Sequence, residues 1–315
     1  MRKIVLLTII LILGSLLAGC AKEEEGTVIF SDSHLEVVIR VAIGKHHGSV
    51  HLSDLEGLTS LNACDASIAD IAGLEYCDDL RELLLSGNQI SDLTPLSGLT
   101  SLTVLGLAAN QISDISPLSG LTSLTELYLN SNQISDISPL LGLTGLTGLW
   151  LAWNQISDLT PLSGLTSLTE LWLNSNQISN ISPLSGLTSL TVLYLYGNQI
   201  SDITPLSNLT HLTELYLSNN QVSDIQPLEN LTSLTVLDLY YNQISDIAPL
   251  SNLTSLTKLW LTNNQISDIA PLVENPGLGK GDEVALRGNP LSADSLNTLI
   301  PQLETRGVTV RYDTP

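Results

Sequence analysis

Residues 124–144 read LTELYLNSNQISDISPLLGLT, and this stretch decides the fold. Leu127 and Leu129 alternate with Glu126, Tyr128 and Asn130 in the period-2 manner of a short strand with one buried face. Asn132 follows where the chain must turn away from the sheet. Its side-chain amide offers two donors and an acceptor to backbone groups that the turn leaves unpaired. Ile134, Ile137, Leu140 and Leu143 then recur at every third residue, a spacing that suits 3-10-like turns packing one side inward.

The unit repeats without a slip. Asn88, Asn110, Asn132, Asn154, Asn176, Asn198, Asn220, Asn242 and Asn264 stand 22 residues apart, each in the pattern L-x-x-L-x-L-x-x-N-x-[IV]. A fixed period of this length predicts an α/β repeat solenoid, in which each unit buries its apolar side against its neighbours. The 315 residues therefore read as one array and not as two ordinary domains. Stacked at ~4.8 Å, the asparagine amides would form a ladder. Ser or Thr directly before Pro, at Thr94, Ser116, Ser138, Thr160, Ser182 and Thr204, predicts hydroxyl caps on short helical turns. Gln226, Ala248 and Ala270 lack the hydroxyl, which predicts weaker capping in the last third.

A solenoid must seal both ends of its core. Asp32 to Gly44 reads as a capped amphipathic helix that lids a degenerate first coil, where Ala66 stands in place of the ladder asparagine. Val284 to Asn289 reads as a last, displaced repeat. Ser292 to Arg306 reads as a closing helix that Pro301 kinks or splits, and Val308 to Tyr312 as an edge strand. The expected organisation is a signal peptide (1–19), a flexible tether (20–30), a helical cap (31–57), one degenerate and nine regular repeats (58–276), and a carboxy-terminal displaced repeat with cap (277–315).

The units L-x-x-L-x-L-x-x-N-Q-I-S-D-I-x-P-L-x-x-L-T resemble the 22-residue leucine-rich repeats of bacterial internalin-like proteins, a repeat class also found in a regulatory subunit of protein phosphatase 1. The resemblance spans roughly Leu58 to Leu272. It implies a right-handed horseshoe with a parallel sheet on the concave face, short helical turns on the convex face, and helical caps. It also implies that ligands, usually proteins, bind the concave face.

Aligned repeats leave one column at the middle of each strand facing outward: Leu84, Gly106, Tyr128, Trp150, Trp172, Tyr194, Tyr216, Asp238 and Trp260. Trp153, Tyr196, Tyr240 and Tyr241 follow two or three residues later in their own repeats. All four Trp and six of the eight Tyr thus fall on one face, the compositional signal of a binding site. Strand preference alone could also place aromatics there. It does not explain why the first repeats, with Leu84, Gly106, Ala108 and Ala109, are nearly bare. Glu82, Glu126, Glu170 and Glu214 flank the stripe in alternate repeats, ~10 Å apart across two strand spacings. That is too far for a shared metal or an acid–base pair, and suggests an acidic rim for a ligand with basic groups.

Other constellations carry less. Asp92, Asp114, Asp136, Asp158, Asp202, Asp224, Asp246 and Asp268 form a column with Asn180 in its gap. Calcium is conceivable there, but a neutral Asn at one rung favours hydrogen bonding to turn amides. His46, His47 and His51 lack an acidic or Cys partner at ligand spacing. Cys64 replaces an outward Ser and Cys77 an inward Leu, so two free thiols are expected rather than a bridge. Sequons at Asn208, Asn230 and Asn252 are by-products of the repeated N-L-T. No phosphate loop, H-E-x-x-H helix or G-x-S-x-G elbow occurs.

The formal net charge of −21 excludes nucleic acid and disfavours adsorption to anionic membranes. Arg2 and Lys3 precede an apolar run from Ile4 to Leu17, too short to span a bilayer comfortably and suited to export. The signal ends Leu17-Ala18-Gly19-Cys20, which resembles the bacterial lipobox and implies a lipid on Cys20 of the mature chain. Ala21 tilts the expected destination towards the outer membrane or cell surface. The expectation is a monomeric, non-enzymatic binding protein without cofactor or metal, held to the membrane through that lipid. Its protein or peptide partner would meet Tyr128, Trp150, Trp153, Trp172, Tyr194, Tyr196, Tyr216, Tyr240, Tyr241 and Trp260, rimmed by Glu126, Glu170 and Glu214. Envelope glycan is the alternative ligand for the same rings.

Overall fold

The computed structural model describes residues 26–313; the expected signal peptide (1–19) and the expected lipid site, Cys20, lie outside the described residues. A small antiparallel pair, β1 (Thr27–Val28) with β2 (Val50–His51), brackets α1 (Ser33–Ala42), and α2 (Leu52–Leu55) leads into the array. Asp32 caps α1 by accepting from the His34 and Leu35 amides, and Leu35 and Ile39 turn inward to cover the first coil. Phe30 completes this seal over Gly73, whose φ of 104° and lack of a Cβ leave room for the ring.

Twelve parallel strands then follow in strict sequence order. They are β3 (Ser60–Asn62), β4 (Glu82–Leu84), β5 (Val104–Gly106), β6 (Glu126–Tyr128), β7 (Gly148–Trp150) and β8 (Glu170–Trp172). The sheet continues through β9 (Val192–Tyr194), β10 (Glu214–Tyr216), β11 (Val236–Asp238), β12 (Lys258–Trp260), β13 (Glu283–Ala285) and β14 (Thr309–Arg311). Each strand is three residues long, with its central leucine (Leu127 in β6) and the leucine just after it (Leu129) fully buried and the turn at the asparagine following at once. Between strands the chain returns through 3-10 turns such as Ser138–Leu140, which bury one Leu each. The inward Leu and Ile of all coils form one continuous core.

The asparagine ladder links coils through backbone, not amide to amide. Asn154 Nδ2 donates to Leu129 O (2.9 Å) and Leu151 O (3.1 Å), while its Oδ1 accepts from Ile134 N at 2.9 Å. One amide therefore satisfies groups on its own coil and on the coil before it. Asn88 does the same for the degenerate coil, accepting from Ala66 N and Ile68 N, and Asn289 extends the ladder by accepting from Ile266 N. A second ladder was missed in the sequence. Thr103, Thr125, Thr147, Thr169, Thr191, Thr213, Thr235 and Thr257 each donate a hydroxyl to a carbonyl 22 residues earlier.

The expected hydroxyl caps are corrected. The Ser or Thr before each Pro is already inside the 3-10 turn and makes no cap bond. The cap is the aspartate two residues earlier: Asp92 Oδ1 accepts from Thr94 N at 2.8 Å, and Asn180 Oδ1 from Ser182 N at 2.9 Å. Capping consequently does not weaken in the last third, where Asp224, Asp246 and Asp268 accept from Gln226, Ala248 and Ala270 at 2.8–2.9 Å. At the carboxy end, the segment before Pro301 widens into a π-turn (Ser295–Leu299) and continues as an α-helix, α4 (Ile300–Thr305), with Pro301 in its first turn. The missing proline N–H explains the break. A short helix, α3 (Ala270–Glu274), packs beside it.

Candidate functional site

The strand register places the aromatic column side by side. Tyr128 pairs with Trp150, Trp150 with Trp172, Trp172 with Tyr194, and Tyr194 with Tyr216. Asp238 and then Trp260 complete the row. The rings touch along it: Tyr128 and Trp150 stack at 4.1 Å and 8°, Tyr194 and Tyr216 at 4.2 Å and 6°. Trp172 bridges the two stacks, 6.5 Å from Trp150 and 4.7 Å from Tyr194.

These rings are half-buried by one another, neither bare nor drawn into the core. Parallel rings on neighbouring strands spend their faces on each other, so the column presents mostly ring edges to solvent. Gly148 makes this possible at the centre, since a Cβ there would lie 2.3 Å from the Trp150 indole. The indole lies across the place that Glu126 and Glu170 occupy on the adjacent strands.

The flanking carboxylates are not a free acidic rim. Glu126 accepts from the Tyr128 hydroxyl (2.7 Å), Glu170 from Trp172 Nε1 (2.8 Å) and Glu214 from the Tyr216 hydroxyl (2.8 Å). Residues two apart on a strand share a face, so each Glu meets the polar tip of its own repeat's ring. This fixes the ring orientation while leaving negative charge on the face. Burial, then the Glu126 contact, pushes the Tyr128 phenol up to about 12; burial likewise raises Tyr194 and Tyr216. These phenols stay protonated at neutral pH and are suited to donating hydrogen bonds, not to proton transfer.

Two aromatics stand apart. The residue before each ladder asparagine has positive φ, and the chain places Gly87, Gly197, Asn219, Asn263 or a small residue there. Trp153 (φ 58°) and Tyr241 (φ 52°) occupy the same position, and are the most open rings of the face at 60% and 49% exposure. Tyr241 leans edge-on against Tyr240 at 4.3 Å, and Tyr196 against Tyr194 at 6.4 Å. In the Tyr196 column, between Ala152 and Tyr196, lies Asn174, only 2% exposed, whose Oδ1 has no hydrogen-bond partner. Its counterpart Asn130 accepts from Ala152 N at 2.8 Å.

The remaining sequence candidates fall elsewhere. Among the described residues, no group of three His, Cys, Asp or Glu is placed to hold a metal ion. Cys64 is exposed and Cys77 buried, both free, and burial pushes the Cys77 thiol up to about 12. No helix of the described residues is long and apolar enough to cross a membrane.

A family model described as leucine rich repeats in two copies matches residues 78–120, 100–142, 122–164, 144–186, 188–230 and 232–274. The solved structure of an internalin, inlF, from Listeria monocytogenes is 39% identical, with a TM-score of 0.78 over 91% of this chain and 92% of that one. A second internalin of Listeria monocytogenes, inlC2, is also 39% identical, with a TM-score of 0.65 over 69% of this chain and 99% of its own. The chain belongs to the leucine-rich repeat family and, within it, to the internalin-like proteins. A plant peptide hormone receptor, RGFR1, solved in complex with RGF2, is 25% identical, with a TM-score of 0.64 over 76% of this chain and 41% of that chain. No curated protein matches the sequence.

Proposed function

We propose that this protein is a non-enzymatic, lipid-anchored envelope protein that binds a protein or peptide through its concave aromatic face. The observation that carries the reading is the pair Trp153 and Tyr241. A left-handed backbone costs a residue with a side chain ~1–2 kcal/mol, and these two rings, largely exposed, recover little by burial. The left-handed turn belongs to every coil, but a large exposed ring there, where other coils use Gly, Asn or a small residue, is not accounted for by stability.

Stacked ring faces in the column disfavour sugar stacking, which needs a free face. The open Trp153 and Tyr241 keep envelope glycan as the second reading, and a glycan array on the purified protein tests it. For the protein reading, a photo-crosslinking amino acid replaces Tyr196 on the sheet or Ser185 on a 3-10 turn. Identified partners should crosslink from position 196 and not from 185; equal yields from both would count against the concave face. Replacing Cys20 with Ser should release the protein from the membrane fraction, and continued sedimentation with membranes would remove the lipid anchor from the reading.

A further inference from the structure

The aromatic row between Tyr128 and Trp260 is interrupted once, by Asp238. Tyr216 and Trp260 flank it from β10 and β12, two strand steps or ~9.6 Å apart. Their ring centroids nevertheless lie 6.5 Å apart, tilted by 38°, so the rings lean towards each other over the aspartate. This spacing is close to twice the ~3.5 Å contact distance of stacked carbon atoms. It fits one flat group in a wedge with a carboxylate at its floor.

The carboxylate is held, but not neutralised. Asp238 Oδ1 accepts from Tyr240 N at 3.1 Å, and the Ser218 hydroxyl also reaches the side chain. Among the described residues Asp238 joins no ion pair, in contrast to Asp54 with Lys45 and Glu283 with Arg311. Lys258, on the adjacent strand, is opposite Val236 and points into solvent from the flanking column. Glu214, beside the wedge, already takes the Tyr216 hydroxyl. Burial raises the Asp238 carboxyl above its ordinary value, as expected for a half-covered charge without a counter-ion.

Resting on the concave-face reading above, we infer that the Asp238 wedge is the subsite for an arginine side chain of the partner. A guanidinium is flat and stacks on aromatic faces, and its paired N–H groups match a carboxylate. Lysine brings a compact, strongly hydrated ammonium that uses the carboxylate and wastes the wedge. The net charge of −21 draws a basic segment to this surface in the first place.

Capped tri-arginine, tri-lysine and tri-citrulline peptides, titrated while the Trp260 indole N–H resonance is followed, test this directly. Tri-arginine should shift Trp260 and bind at least tenfold more tightly than tri-citrulline, which keeps the shape and loses the charge, with tri-lysine between them. Asp238→Asn should weaken tri-arginine at least tenfold, while Asp202→Asn, the same charge change on a turn away from the sheet, should leave it within twofold. The subsite is overturned if tri-arginine leaves Trp260 unmoved, if citrulline binds equally, or if the two variants behave alike. Should that happen while position 196 still crosslinks a partner and Trp150→Ala/Trp172→Ala/Tyr194→Ala loses it, the concave-face reading stands without the arginine subsite.

Discussion

The interior of the solenoid and its concave face share one 22-residue period and use it in opposite ways. Inside, every regular coil carries the same asparagine with the same bonds: Asn132 and Asn176 both reach the preceding coil's Leu O at 3.0 Å. On the face, the same register brings unlike residues together, from Gly106 on β5 to Trp172 on β8 and Asp238 on β11. Repetition satisfies buried backbone groups that water cannot reach. Departure from repetition is where a ligand can be told apart from solvent, and where residues costly to stability are retained.

The first way to break the comparison is to remove one interior amide. Asn154→Ala leaves Ile134 N without an acceptor and takes one of two donors from Leu129 O and Leu151 O, which keep Asn132 Nδ2 and Asn176 Nδ2. With ~1–3 kcal/mol for a buried group left unpaired, the loss should fall in that range, read from urea unfolding. A change under ~1 kcal/mol would show that water replaces the amide freely.

On the face the sign should reverse. Trp153→Asn and Tyr241→Asn put at these positions the residue the chain itself uses at Asn219 and Asn263. Each should raise stability by about 0.5–1 kcal/mol while weakening partner binding. Asp238→Asn should likewise stabilise at neutral pH. Its carboxyl is raised in the folded state, so the ionised form opposes folding and acidification relieves it. Unchanged or lowered thermal midpoints in these variants would remove the argument that the face is held against stability.

The smallest effect concerns the capping column. Hydrogen bonds from the Thr hydroxyl and amide lower the Asp92, Asp158 and Asp202 carboxyls below the ordinary value of 3.8. Their contribution is therefore present above that value and is lost as pH falls through the lower folded-state one. Stability should decline slightly on acidification below about pH 4, and Asp158→Asn, which keeps the acceptor as Asn180 does, should flatten that decline. An acid titration of the thermal midpoint checks it.

Much of the fold could be read because period and burial are one signal here: every predicted inward Leu and Ile of the regular repeats is in the core. The pattern shows the aspartates as turn acceptors, yet it points to the Ser and Thr beside Pro as the caps. The choice between Asp92 and Thr94 as capping group depends on where a 3-10 turn begins, to within a residue, which a pattern does not specify. The site was legible as a column and illegible as a surface. Register follows from the period, so Tyr128 and Trp150 were placed side by side. Whether their rings stack, and whether Glu126 faces a ligand or a phenol, depends on rotamers set by neighbours such as Gly148. The Thr103 to Thr257 ladder was equally periodic and could have been found, since a hydroxyl at every 22nd residue points to a shared carbonyl partner.

The central claim is that the aromatic concave face is a binding surface for polypeptide. Random peptides displayed on phage, selected on the wild-type protein, test it most directly when rebound to Trp150→Ala/Trp172→Ala/Tyr194→Ala, with circular dichroism confirming that the variant keeps its fold. The account predicts that selected peptides are rich in basic residues and lose at least tenfold in affinity for the variant. Peptides that bind wild type and variant alike would contradict it.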